Sequence, residues 1–135
     1  MLPKLIHYSD TWNRALYIAI EGNQLHYLAI VKHPIGGHLC GYLNLSRTLW
    51  DNVCDRARTW NIITYEGIGS DILNVPAVIL AKFPLEEEPW WIGFDYYQQP
   101  RPTEQEVLSR LLSLIHMVHR DWSSDAPVEV EDEMA

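Results

Sequence analysis

The chain has 135 residues, 47% of them hydrophobic, and a formal net charge of −8 at pH 7. That length implies one domain, able to remove roughly two thirds of its unfolded surface from water. No apolar run approaches a membrane span, and no basic stripe offers a track for a phosphate backbone, so neither a membrane nor direct nucleic-acid contact is expected. Met1-Leu2-Pro3-Lys4 lacks the apolar segment of a secretory signal, which makes the cytosol the expected compartment. The acids are unevenly placed. Residues 121–135 hold six (Asp121, Asp125, Glu129, Glu131, Asp132, Glu133) and no base, whereas residues 1–120 are nearly balanced, with twelve acids and ten bases.

In chain order, residues 1–13 read as irregular, with Leu5, Ile6 and Tyr8 in a short edge segment. Residues 14–20 and 25–31 are apolar runs rich in β-branched and aromatic residues, separated by Glu21-Gly22-Asn23-Gln24. Gly22 and Asn23 tolerate positive φ, so the pair reads as a β-hairpin. His33-Pro34-Ile35-Gly36-Gly37-His38 is a loop, and residues 39–45 are a third strand in which Gly41 suggests a bulge or a close approach. Ser46 caps a helix expected over about 47–59, with Leu49, Trp50, Val53, Cys54 and Ala57 on its apolar stripe. Asp51 and Asp55, one turn apart, read as part of its solvated face.

Residues 61–66 are expected as a fourth strand, and the following Gly67-Ile68-Gly69 as a turn, since no phosphate-binding glycine pattern is complete there. A fifth strand is expected over 75–83, with Pro76 at its start. Pro84-Leu85-Glu86-Glu87-Glu88-Pro89 connects it to a sixth, Trp90–Tyr97, where five of the fifteen aromatic residues are concentrated. Alternation places Trp91, Gly93, Asp95 and Tyr97 on one face of that strand and Trp90, Ile92, Phe94 and Tyr96 on the other. After Pro102, Thr103 and Glu106 form a capping box for a helix over about 104–120, with Val107, Leu108, Leu111, Leu112, Ile115, Val118 and His119 on the apolar side. The expected fold is α+β: a mainly antiparallel sheet of about five or six strands, with two helices (about 47–59 and 104–120) packed on one face. Residues 1–122 form the single domain, and 123–135 an acidic disordered tail.

Leu39-Cys40-Gly41-Tyr42, then Ile63-Thr64-Tyr65, then Trp90-Trp91-Ile92-Gly93-Phe94-Asp95, with a helix after them, resembles a family of small proteins found mostly in bacteriophages and prophages. The resemblance covers roughly residues 36–120, and its tryptophan–aspartate block is the most specific part. Where the family commonly continues with a small residue, alanine and histidine, this chain has Tyr96, Tyr97 and Gln98. The resemblance implies a phage or mobile-element origin and carries no mechanism.

Few constellations point to chemistry. Asp95 among large rings is a candidate acid, base or polar anchor. No nucleophile elbow or zinc-protease helix is present, and Cys54 beside Asp55 is not an activated thiol. His33, His38 and Cys40 lie close together, with Cys54 as a conceivable fourth ligand, but their spacing matches no zinc pattern. No metal or cofactor is therefore expected. His116 and His119, three apart on the last helix, read as boundary side chains.

Six tryptophans and seven tyrosines exceed what a core of this size needs, and exposed rings are the usual anchors of binding sites. The candidate binding residues are Trp91, Asp95, Tyr97, Tyr42 and His38. The expected function is a non-enzymatic accessory protein that binds and inhibits a host protein or complex through an exposed aromatic and acidic surface, in an anti-defence role such as an anti-CRISPR. The alternatives are a protein that sequesters a nucleotide-derived signal between Trp91, Tyr42 and the Gly36-Gly37 loop, and a small hydrolase using Asp95. The same surface also suits a homodimer interface.

Overall fold

A computed structural model describes residues 4–11, 14–21, 24–33, 35–59, 63–67, 77–84, 89–95, 102–119 and 129–132. Seven strands form one sheet: β1 (Lys4–Thr11), β2 (Arg14–Glu21), β3 (Gln24–Lys32), β4 (Leu39–Ser46), β5 (Tyr65–Gly67), β6 (Pro89–Asp95) and β7 (Glu129–Asp132). Their order across the sheet is β5-β6-β4-β3-β2-β1-β7. Every neighbouring pair is antiparallel except β1 and β7, which run parallel. The described residues also form three helices: α1 (Arg47–Ala57), α2 (Ala77–Lys82) and α3 (Glu104–Val118). The α+β class and the mainly antiparallel sheet agree with expectation.

Both faces of the sheet are apolar, and period-two alternation divides them. On the first face Ala15, Tyr17 and Ala19 of β2, Leu28 and Ile30 of β3, Leu43 and Leu45 of β4, and Ile92 and Phe94 of β6 pack with residues of α1 and α3. On the second face Leu16 and Ile18, Tyr27 and Ala29, and Trp91 pack with Ile79 of α2. Two buried faces explain why β2 and β3 are almost continuously apolar rather than alternating with polar residues.

The two long helices start where their caps predict. The Ser46 side chain accepts from the Leu49 amide at 3.1 Å. Thr103 and Glu106 form both halves of the capping box. On α3 the buried stripe is Val107, Leu108, Leu111, Leu114, Ile115 and Val118, so Leu114 rather than Leu112 is the fully buried position. Each such side chain contributes about 1.5–3 kcal/mol by burial against about 1 kcal/mol for a cap, so packing holds the helix and the cap fixes its start.

Three departures are instructive. Residues 77–82 are helix, not strand, and the Phe83 amide continues the turn by donating to the Ile79 carbonyl at 2.8 Å. A short apolar run is ambiguous between the two, and alanine, leucine and lysine favour the helix. α2 lies on the opposite face from α1 and α3, where the Tyr27 hydroxyl donates to the Phe83 carbonyl. The fourth strand is shorter and later than expected, Tyr65–Gly67, with residues 61 and 62 outside the described set.

Residues 129–132, expected within a disordered tail, pair with β1 in parallel from Lys4↔Glu129 to His7↔Asp132. A short acidic strand suits a sheet edge, because charge discourages further pairing there. With β7 beside it, β1 is an inner strand of eight residues rather than a short edge segment.

Candidate functional site

The antiparallel register of β4 with β6 sets Cys40 opposite Asp95 and Tyr42 opposite Gly93, and β5 adds Tyr65 on the other side of Gly93. Alternation turns Cys40, Tyr42 and Asp95 to the second face. Gly93 lacks a side chain because the Tyr42 ring fills the space. A Cβ there would lie 2.4 Å from Tyr42 Cδ1 and 2.8 Å from the Gly41 carbonyl oxygen. Tyr65 meets Tyr42 edge-on, with ring centroids 5.6 Å apart.

The β3–β4 loop brings histidine to this corner. The His33 amide donates to the His38 carbonyl at 2.8 Å and the Gly37 amide to the His33 carbonyl at 3.0 Å, closing the loop. His33 Nδ1 accepts from the amides of Ile35 (3.2 Å) and Gly36 (3.1 Å), which puts the ring proton on Nε2 in the neutral form. The His38 ring stacks on the His33 ring at 4.5 Å and 17°. It also covers Gly36, where a Cβ would fall 2.4 Å from His38 Nδ1. So held, His38 is buried, and its Nε2 lies 2.8 Å from Asp95 Oδ1. The Asp95 carboxylate is partly exposed, at 36%.

One donor atom from each of His38, Cys40 and Asp95 lies within 4.8 Å of the others. Burial, and then the Asp95 charge, push the Cys40 thiol up to about 11, opposed by a hydrogen bond with the Tyr42 hydroxyl. Burial and the neighbouring thiol push Tyr42 up to about 12. Both groups are therefore protonated at neutral pH. A buried cysteine without a nearby cation is not an activated nucleophile.

The expected site residues separate. His38, Asp95 and Tyr42 converge on this corner. Trp91 does not: it is 2% exposed, in the core beside Ile79 and Tyr27, and cannot serve as a surface anchor. Its indole faces the layer that α2 covers, which a strand reading of residues 75–83 could not supply. Tyr97 lies outside the described residues. Cys40 and Tyr65 join the site although neither was a candidate binding residue; the strand register, not any local signature, places them there. Cys54 packs with α1 on the first face, away from Cys40.

The exposed hydrophobic residues include Ile35, 91% exposed at the tip of the histidine loop, and Tyr65 at 37%. Tyr65 borders the corner through its contact with Tyr42, and Ile35 belongs to the loop that delivers His38. Elsewhere, Asp51 pairs with Arg47 and Asp55 approaches Arg58 on the solvated face of α1, as expected. A shallow groove along α3, lined by Gln105, Glu106, Ser109, Arg110 and Ser113, draws on that one helix. No described helix is long and apolar enough to cross a membrane. In comparisons with known proteins the chain matches no family model, no curated protein and no solved structure.

Proposed function

We propose that this chain is a non-enzymatic accessory protein of phage or mobile-element origin that binds and inhibits a host macromolecule, in an anti-defence role of the anti-CRISPR kind. The carrying observation is the corner itself: exposed Tyr65 set against Tyr42, the partly exposed Asp95 carboxylate, and the histidine loop that holds His38 on Asp95 and carries Ile35 almost fully exposed. An exposed apolar loop residue, an aromatic ring and an acid together have the make-up of an interface hot spot. The net charge of −8 favours a partner with a basic rim. The protonated Cys40 thiol supports binding over covalent catalysis.

The recognition surface is thus Ile35, Tyr65, Tyr42 and Asp95, with buried His38 positioning the Asp95 carboxylate and without Trp91. The nucleotide-sequestering alternative loses one of its two rings with the burial of Trp91 and keeps Tyr42. The hydrolase alternative keeps one supporting observation, the 2.8 Å His38–Asp95 contact, which has the form of an oriented base.

The test is affinity capture from a host lysate with the wild-type chain, Ile35→Asp and Tyr65→Ala. A single stoichiometric host protein held by the wild type and lost by Ile35→Asp is expected. Equal capture by all three would remove this surface from consideration. Substrate turnover abolished by Asp95→Asn would favour the hydrolase instead.

A further inference from the structure

We propose that His38, Cys40 and Asp95 form a binding site for one borderline-soft divalent transition metal ion, zinc being the best fit. The site shares His38 and Asp95 with the proposed recognition corner but does not require a partner, since an ion needs only these three side chains. The donor set carries the assignment. One imidazole nitrogen, one sulfur and one carboxylate oxygen converge within 4.8 Å, from a loop and two strands adjacent in the sheet. Thiolate and imidazole together select zinc over the hard cations magnesium and calcium, which prefer oxygen.

The geometry needs shifts of at most about 1.2 Å. In a tetrahedral zinc site, nitrogen and oxygen ligands lie roughly 3.3 Å apart, and either lies roughly 3.6 Å from sulfur. Here His38 Nε2 and Asp95 Oδ1 are 2.8 Å apart, so the ion would replace the proton between them and widen that contact by about half an ångström. All three donors close to tetrahedral spacing from within 4.8 Å. Binding also removes the thiol proton, as metal coordination to cysteine requires.

His33 is excluded as the fourth ligand. Its Nδ1 is committed to two backbone amides, and its ring lies flat on that of His38. It acts instead as a positioning residue. The three described ligands leave one coordination position for water, for another residue of the chain or for a donor from a bound partner.

The test uses the full chain, stripped with a chelator and titrated with Co²⁺, then with Zn²⁺. One equivalent of Co²⁺ should produce a sulfur-to-cobalt charge-transfer band and the intense visible absorption of tetrahedral cobalt, both erased by Zn²⁺. Asp95→Asn should weaken Zn²⁺ binding by about 100-fold or more, beyond the loss that outer-shell changes cause. The chain has two cysteines, so Cys54→Ser leaves Cys40 as the sole thiol and decides its role even if Cys40→Ser fails to fold. The band should survive in Cys54→Ser. Its absence in the wild type, or its loss in folded Cys54→Ser, would overturn the site and leave the His38–Asp95 contact as a loop anchor.

Discussion

Two histidine clusters sit in this sheet, and they are opposites. On the face that α1 and α3 cover, His26 of β3 is 3% exposed and lies within a chain of hydrogen bonds. Its Nδ1 donates to the Asn44 carbonyl at 2.8 Å, and its Nε2 lies 2.9 Å from His119 Nε2, while His119 Nδ1 lies 3.3 Å from Gln24 Nε2. One set of neutral tautomers satisfies every link: Gln24 donates to His119, His119 to His26, and His26 to the backbone. That chain joins the end of α3 to two strands. In the second cluster His38 instead meets a carboxylate and a thiol at the partly exposed end of β6. A complete chain of neutral groups holds a fold together. Convergence of an imidazole, a thiol and a carboxylate at a solvent-facing corner is suited to binding something.

The largest expected effect concerns the core of the second face. Trp91→Ala should cost about 3–5 kcal/mol in denaturant unfolding, because the indole is buried against Ile79 and Tyr27. A loss under 1 kcal/mol would return Trp91 to the surface and restore it as a binding anchor.

Next is the acid response of the inner cluster. Burial first, and the neighbouring His119 second, lower His26 from 6.5 to about 4, against the opposing bond to the Asn44 carbonyl. Between those values the unfolded chain takes up a proton that the folded chain refuses, so stability rises with pH across the window. The contribution is complete above about pH 6.5 and fades as the pH falls toward 4, amounting to about 3 kcal/mol. Unfolding free energy of the wild type and His26→Gln, measured from pH 7 to 4, checks this. The variant should be weaker at pH 7 and lose less on acidification; parallel curves would deny His26 that role.

A smaller effect is expected at Gly93→Ala, about 1–3 kcal/mol, since the new methyl meets the Tyr42 ring and the Gly41 carbonyl. Loss of partner binding beyond that expected from instability would show that the Tyr42 ring position matters for recognition. The smallest should be Tyr65→Ala, within about 0.5 kcal/mol in thermal unfolding, as befits an exposed ring. A larger loss would mean that Tyr65 belongs to the core.

Much of the scaffold was legible because its signals are local. The β2–β3 hairpin, the Ser46 cap and the Thr103–Glu106 box depend on residues within a few positions of one another. The segment 77–82 was misread because six apolar-rich residues carry too few turns to show a period. β7 was missed because acidic composition argues for disorder, whereas its pairing depends on β1 at the far end of the chain.

The site was half visible. Asp95 and His38 stood out individually, and Cys40 was weighed only with its sequence neighbours. Their meeting requires the register of β4 against β6 across some fifty residues, which no spacing rule encodes. Trp91 failed as a surface candidate for the same reason: alternation assigned its face correctly, but what covers that face is tertiary.

The distinction between the two clusters can be read in a single titration. A long-range ¹H–¹⁵N spectrum of the histidine rings, recorded before and after one equivalent of Zn²⁺, reports on both at once. The His38 nitrogens should shift to a metal-bound position while those of His26 and His119 stay in place. Movement of His26 and His119 with His38 unchanged would mean that the closed chain is the binding site, and would contradict the division of labour drawn here.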